Sequence, residues 1–98
     1  MTVPALEPGT YQVLTYDYVA DVLERRDPFR PAHLEHARDA RRRGELVNVG
    51  AVGSPPVGAL LVFADVPPAQ VEAYARADPY VQAGLVTGYR VTPWTVVV

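Results

Sequence analysis

The segment that decides the fold reads Val57-Gly-Ala-Leu-Leu-Val-Phe-Ala64. It contains no polar side chain, so a strand built from it presents apolar residues to both faces of its sheet. The segment before it, residues 45–52, is also mostly apolar, and Gly53-Ser-Pro-Pro56 between the two has the composition of a turn. The two segments therefore predict an antiparallel hairpin within a sheet whose faces are both covered.

Two further strands are predicted towards the ends of the chain. Residues 10–18 are rich in β-branched and aromatic residues, and residues 86–98 form a second β segment. Pro93 lies inside the second segment and has no N–H to donate to a neighbouring strand. This segment is therefore expected at the edge of the sheet or at a bulge.

Two helices are predicted between the strands. The first runs from Pro31 to Arg43, because proline suits the first helical position, arginines occupy the last turn and a glycine follows. The second helix follows the turn at residues 65–68 and ends near Ala77. Residues 19–26 are compatible with either a helical turn or a mobile connection.

The resulting order, β-α-β-β-α-β, is the split βαβ arrangement of ferredoxin-like domains in the α+β class. It places four strands in one antiparallel sheet and both helices on one face of that sheet. The opposite face stays apolar, so it needs a partner, most simply a second copy of the same sheet. We therefore expect a homodimer or a higher homo-oligomer assembled through this open sheet face.

Length and composition agree with that expectation. The 98 residues predict one domain, 1–98, in which residues 1–9 form a flexible lead. Hydrophobic residues make up 49% of the chain but are largely valine and alanine, and cysteine is absent. Small side chains bury little area each, so we expect a second subunit to complete the core.

The charge of the chain argues against several classes of partner. The formal net charge is −2, and all nine basic residues are arginine. No general attraction to nucleic acid or to anionic lipid is therefore expected. No apolar run reaches the roughly 18 residues of a membrane span, and the first residues lack the features of a signal peptide. The sequence thus predicts a cytoplasmic protein.

A histidine occupies the buried face predicted for the first helix. On a helical wheel Ala37 and Ala40 lie within about 40° of His33, and the opposite arc holds the charged residues. An imidazole on this face costs desolvation unless its ring nitrogens have partners. A purely structural histidine is the alternative to a functional one.

The buried stripe of the second helix ends in a carboxylate. Val71 and Tyr74 share this stripe with Asp78. A carboxylate at a helix C-terminus lies at the unfavourable end of the helix dipole, so it needs a compensating partner. Alternatively, Asp78 is the N-cap of a segment that starts at Pro79. Because both helices lie on one face of the sheet, we expect Asp78 to meet His33, fix its tautomer and prepare it as a general acid or base.

These residues belong to a longer pattern of short elements. The elements are Arg30-Pro-Ala-His-Leu34, Gly44-Glu-Leu46, Gly50, Gly58, Ala77-Asp-Pro-Tyr80, Ala83-Gly84 and Val91-Thr-Pro-Trp94. From about residue 10 to the C-terminus, the chain in this way resembles the YciI-like (YCII-related domain) family. It departs from the family where the second strand continues as Gly50-Ala51 rather than Gly-Pro, a difference that affects the rim of the expected pocket.

The resemblance implies the dimeric α+β barrel fold, in which ferredoxin-like units pack their sheets face to face. It implies an active site made by a His–Asp pair, here His33 and Asp78, with Tyr80 in the same cleft. It also implies a small cyclic or aromatic substrate, as in the dehydrochlorination of a chlorinated hydroxyhydroquinone.

Two further side chains near the pair have several interpretations. Arg30 lies one turn before His33. Three interpretations stay open for it: it binds an anionic group of the substrate, it pairs with Asp78, or it is simply exposed. His36 lies three residues after His33, so a shared metal ion is geometrically feasible. A third ligand is missing nearby, however, so we expect no metal and a solvated His36.

We expect a small enzyme that uses proton transfer without a cofactor. In this hypothesis His33 is the general base or acid, Asp78 orients it, and Tyr80 and Arg30 contact a small cyclic or aromatic ligand. Elimination or isomerisation suits such a site, since one repositioned proton is sufficient for either. The alternatives are a non-catalytic ligand-binding or interaction subunit with the same pocket, and a haem or flavin-independent monooxygenase of a related barrel type.

Overall fold

The order of strands and long helices in the computed structural model, which describes residues 5–98, is the predicted one. The elements are β1 (Gly9–Tyr18), α1 (Val22–Arg25), α2 (Arg30–Arg42), β2 (Leu46–Val52), β3 (Gly58–Phe63), α3 (Pro68–Ala77), α4 (Pro79–Gln82) and β4 (Val86–Val96). The four strands form one antiparallel sheet in the order β2-β3-β1-β4. The α+β, ferredoxin-like fold is thereby confirmed.

Two short helices add to the predicted pattern. The sequence left residues 19–26 open between a helical turn and a mobile connection. Helix α1 lies in this segment, so the helical turn is the correct interpretation. Helix α2 begins at Arg30 rather than Pro31, because the N–H of Arg30 already donates to the carbonyl of Arg26 at 2.9 Å. Helix α4 occupies the segment that follows α3, and its single turn reverses the chain before β4.

The ends of the sheet differ slightly from expectation. A flexible lead was predicted over residues 1–9, but Gly9 pairs with Val96 and so belongs to β1. Residues 1–4 of the predicted lead lie outside the described residues. Strand β4 lies at the edge of the sheet, as the proline at position 93 requires. The register shift between β1 and β4 falls at Asp17/Tyr18 instead of at the proline.

The core lies between the sheet and the two long helices. Leu14, Tyr16 and Leu61 project from the sheet towards the helices, where Ala40 and Ala75 are fully buried. Alanines at these helix positions let the helix backbones lie close to the sheet. This close approach places polar groups of the helices within reach of side chains from β1.

The opposite face of the sheet carries no helix within residues 5–98. A shallow depression of about 370 Å³ lies on it, lined by Val13, Thr15, Leu60, Val62, Arg90, Thr92, Pro93 and Trp94, and we call this surface the open face. Leu60 and Trp94 are each 44% exposed there. No helix in the described part of the chain has the length and apolarity needed to cross a membrane.

Gly58 is required by a close approach between two neighbouring strands. A Cβ atom at this position would lie 2.2 Å from the backbone oxygen of Tyr16. Such a distance is far inside van der Waals contact, and the clash is with backbone, which cannot rotate away. Gly58 therefore sets how closely β3 approaches the C-terminal end of β1.

We predict that Gly58→Ala lowers the free energy of unfolding by about 1–3 kcal/mol, because β3 must shift to accommodate the new methyl group. Urea denaturation followed by circular dichroism measures the change. Gly88→Ala is a matched control, since Gly88 pairs with Asp17 from the other side and a Cβ atom added to it would have no other atom within 4 Å. Equal stability of the two variants would contradict the prediction.

Candidate active site

Asp78 lies at the junction of α3 and α4, and its side chain has no exposure to solvent. Its backbone is extended, with φ −69° and ψ 124°, so α3 ends before it and α4 begins after it. Its Oδ1 accepts a hydrogen bond from the backbone N–H of Tyr80 at 2.9 Å. Asp78 is thus the N-cap of α4, which was one of the two roles left open by the sequence.

The second role is present as well, because Asp78 also meets His33. His33 lies in the first turn of α2 and is only 6% exposed, and its Nδ1 lies 2.8 Å from Asp78 Oδ1. Since a carboxylate oxygen accepts, Nδ1 carries the proton and donates it. The lone pair of a neutral His33 is then on Nε2, which makes no hydrogen bond to residues 5–98 and is not sealed from solvent.

Tyr16 completes the surroundings of the carboxylate, and the sequence did not single it out for this role. Its hydroxyl donates to Asp78 Oδ2 at 2.8 Å. Burial, and then the neighbouring Asp78 carboxylate, raise the pKa of Tyr16 well above its usual range, so the phenol keeps its proton and remains a donor. Strand alternation predicts that Tyr16 faces the helices, but it does not identify the partner of its hydroxyl.

Tyr80 packs directly against the imidazole. The rings of Tyr80 and His33 are stacked, with centroids 3.6 Å apart and planes 4° from parallel, and Tyr18 meets Tyr80 edge to face at 6.1 Å. Tyr80 is 2% exposed, and its buried hydroxyl has no partner within the described residues. The stack fixes the plane of the His33 ring, while the bond to Asp78 fixes its rotation within that plane.

A cavity of about 250 Å³ opens beside His33, between α2 and the sheet. It is lined by Tyr18, Arg26, Arg30, His33, Leu34, Val49, Gly50, Ala51, Ala59, Leu61 and Tyr80. Most of this lining is apolar or aromatic, and its polar groups come from α2, the turn before α2, β1 and α4. All of the predicted site residues except the buried Asp78 therefore line one cavity.

Arg30 lines this cavity and does not pair with Asp78. Within residues 5–98 it forms no ion pair, and Asp78 already accepts from three donors, so the proposed Arg30–Asp78 pairing is wrong. Arg26 lines the same cavity and was not predicted. It lies in the segment 19–26, which has no periodicity that would place its side chain on a face.

Tyr18 lines the cavity, and its hydroxyl is neutral. Burial, and then the nearby Tyr80 and Asp78, raise the pKa of Tyr18 to about 12, although Arg26 and Arg30 act in the opposite direction. At neutral pH Tyr18 is therefore a phenol that can donate a hydrogen bond. Tyr18, Arg26 and Arg30 all line this one cavity.

His36 lies on another part of α2 and does not share a site with His33. Its Nε2 lies 2.9 Å from the carbonyl oxygen of Tyr74, and its ring stacks on the Tyr74 ring at 4.1 Å. The prediction that His36 is solvated holds only in part, because its side chain is half-buried and α3 supplies both contacts. In the described part of the chain no three His, Cys, Asp or Glu side chains are arranged to hold a metal ion.

We predict that Tyr16→Phe lowers the free energy of unfolding by about 1.5–3 kcal/mol, because a buried carboxylate then loses one of its three donors. Tyr89→Phe is the matched control and should change stability by less than about 0.5 kcal/mol. Tyr89 lies beside Tyr16 in the sheet, is 37% exposed, and its hydroxyl has no bond within residues 5–98. Chemical denaturation of both variants decides the matter, and equal losses would count against the role given to Tyr16.

Comparison with solved structures finds the same fold in proteins of low sequence identity. A 5-chloro-2-hydroxyhydroquinone dehydrochlorinase from Burkholderia phenoliruptrix AC1100, solved in complex with 2,5-dihydroxybenzoquinone, is 17% identical with a TM-score of 0.72. The match covers 87% of this chain and 93% of that one. A candidate antibiotic biosynthesis monooxygenase from Nitrosomonas europaea is 12% identical with a TM-score of 0.58, over 96% of each chain.

Sequence comparison identifies the family directly. A comparison with curated proteins finds no match. Residues 10–95, however, match the family model of the YCII-related domain, which is nearly the whole of the chain. The fold is also that of the dimeric α+β barrel proteins among its structural neighbours. The chain therefore belongs to the YCII-related domain family.

Proposed function

We propose that this chain is a small cytoplasmic enzyme that transfers a proton on a cyclic or aromatic compound without a cofactor. His33 is the general acid or base, and Asp78 orients it. The observation that carries the proposal is the 2.8 Å contact between His33 Nδ1 and a fully buried Asp78 beside a cavity of about 250 Å³. This contact leaves Nε2 as the ring nitrogen that can exchange a proton with a ligand.

The chemistry follows from the direction of the hydrogen bonds. In the neutral imidazole, Nε2 accepts a proton from a carbon acid of the substrate, while Nδ1–H stays bonded to Asp78, whose charge stabilises the imidazolium. In an elimination the electrons of the broken C–H bond form a double bond, and the leaving group departs with its own electron pair. In an isomerisation the imidazolium returns the proton to a different carbon. Neither reaction changes the oxidation state of the substrate as a whole.

The size of the cavity supports a substrate with one ring. A dry protein cavity of about 150 Å³ is large enough to hold benzene, so about 250 Å³ admits a ring with several substituents. The dehydrochlorinase with the same fold takes its name from a chlorinated hydroxyhydroquinone. At 17% identity, that likeness supports a ring compound as the proposed class of substrate, but it does not support any particular compound.

A test that does not require knowledge of the reaction is hydrogen exchange with solvent. We expect the protein in D₂O to catalyse deuterium incorporation at an acidic C–H of a compound in a panel of chlorinated hydroxyhydroquinones and unsaturated lactones, measured by NMR. Because general acid–base catalysis contributes about 10²–10⁴-fold, His33→Gln should lower that rate by this factor. Any release of chloride should fall in parallel.

The control for this test is His36→Gln, which removes the other histidine of the same helix. His36 contacts Tyr74 and does not line the cavity, so its replacement should leave the exchange rate within about twofold of the wild type. Circular dichroism confirms that each variant is folded. Exchange that persists unchanged in the His33 variant would rule out the proposed role of that residue.

One observation favours the alternative of a non-catalytic ligand-binding or interaction subunit. The imidazole of His33 is only 6% exposed and has one ring face covered by Tyr80. A ring held in this way can bind a ligand through a hydrogen bond to Nε2 without taking part in a reaction. Binding of a ring compound without exchange or turnover in any member of the panel would support this alternative.

We also propose that two copies of the chain associate through the open face. Leu60 and Trp94 are large apolar residues that remain 44% exposed on a sheet face without helices, and their burial would release about 25 cal/mol per Å². A second sheet packed on this face gives the dimeric barrel that is characteristic of the fold. The dimer would cover the open face and leave the cavity at His33 on the helix side of each sheet.

We predict that Leu60→Asp converts the dimer to a monomer, because it places a carboxylate in the proposed sheet-to-sheet contact. Size-exclusion chromatography with light scattering measures the change in mass. Leu23→Asp is the matched control, since Leu23 is also 44% exposed but lies on α1, away from the open face. A wild-type protein that is monomeric at micromolar concentration, or a Leu60 variant that stays dimeric, would contradict the proposal.

A further inference from the structure

We propose that the ligand of this cavity carries an anionic oxygen, a carboxylate or a phenolate, which is bound by Arg26 together with Arg30. The inference deepens the proposed function by naming the charge class of the substrate, and it rests on that function only for the identity of the cavity. It assigns Arg26, which has no other evident role in the described structure, as the main anchor.

The first observation is that Arg26 has an unsatisfied buried donor. Its Nε is buried and has no hydrogen-bond partner within residues 5–98, although the residue lines the cavity. A guanidinium is always charged and has five N–H donors, so leaving one of them buried and unpaired is costly. A ligand oxygen that accepts from this group would remove that cost when it binds.

The second observation is that Arg30 is held beside Arg26. The N–H of Arg30 donates to the carbonyl oxygen of Arg26 at 2.9 Å, so the two residues are one turn apart and both side chains line the cavity. Neither forms an ion pair within the described residues. By contrast, five other arginines are paired with carboxylates, namely Arg25, Arg38, Arg42, Arg43 and Arg90.

The third observation is that the cavity lining contains donors and cations but no carboxylate. Besides the two arginines, the polar side chains of the lining include Tyr18 and Tyr80, and the Tyr80 hydroxyl is buried without a partner in the part of the chain described. The nearby Asp78 carboxylate is occupied by three donors and does not line the cavity. Fixed positive charge with free donors is the arrangement that binds anionic oxygens, and guanidinium groups match a carboxylate in geometry.

The experiment compares ring compounds that differ in charge and by at most one methyl group in size. Binding of benzoate and of benzamide, and of 4-nitrophenolate and 4-nitroanisole at pH 8, is measured by titration of the backbone amide NMR spectrum. The variants are Arg26→Gln and Arg30→Gln. Arg76→Gln is the matched control, because Arg76 is exposed on α3 and does not line the cavity.

We expect the wild-type protein to bind at least one of the two anions about tenfold or more tightly than its neutral counterpart, with shifts at residues around the cavity. Preference for benzoate would indicate a carboxylate ligand, and preference for 4-nitrophenolate would indicate a phenolate ligand. Arg26→Gln should abolish the preference, Arg30→Gln should reduce it, and Arg76→Gln should leave it unchanged. Arg26→Lys should recover only part of it, since the charge is kept but the planar array of donors is lost.

Three results would overturn the proposal. They are equal affinity for charged and neutral rings, absence of binding of both anions at millimolar concentration, and a preference that survives in both arginine variants. The two proposals can fail separately, because the anion preference is measured by binding alone and the role of His33 by hydrogen exchange. An anion preference in a protein that catalyses no hydrogen exchange on any compound of the panel would leave Arg26 as the anchor of a binding site and support the non-catalytic alternative.

Discussion

The buried carboxylate of Asp78 is the constraint on which the arrangement of this domain depends. A carboxylate without solvent exposure costs several kcal/mol unless donors surround it, and here the donors come from β1, α2 and α4. Tyr16, His33 and the N–H of Tyr80 are therefore held in fixed positions relative to one another. Loss of any one of them leaves a charge that the interior cannot solvate, so the elements of the helix-covered face are tied together at this point.

The close packing of small residues follows from this constraint. Tyr16 reaches Asp78 from the centre of the sheet, where it pairs with Ala59, and Gly58 lets β3 approach the backbone of the same tyrosine. On the helix side Ala37 and Ala40 keep α2 near the sheet, so that His33 reaches the same carboxylate. A core of larger side chains would bury more apolar area but would hold the three donors too far from Asp78.

The sequence revealed those parts of the site that violate a hydrophobic pattern. His33 and Asp78 each occupy a buried helical stripe where an apolar residue would pack better, and this conflict is visible on a helical wheel. Tyr16 creates no such conflict, because tyrosine is common in cores and strand alternation gives its facing but not its partner. Arg26 lies in a segment without periodicity, so only the three-dimensional turn between α1 and α2 shows that it reaches the cavity.

The charges around the His33 imidazole are arranged in a way that suits the abstraction of a proton. In the proposed step, transfer of a proton from carbon to Nε2 creates a cation on His33 and adds one negative charge to the ligand. Asp78 lies on the Nδ1 side of the ring, where it stabilises the cation, and the arginine side chains line the cavity, where they stabilise an anion. Because the two charges act on opposite products of one step, they would lower the energy of the state after proton transfer more than that of the state before it.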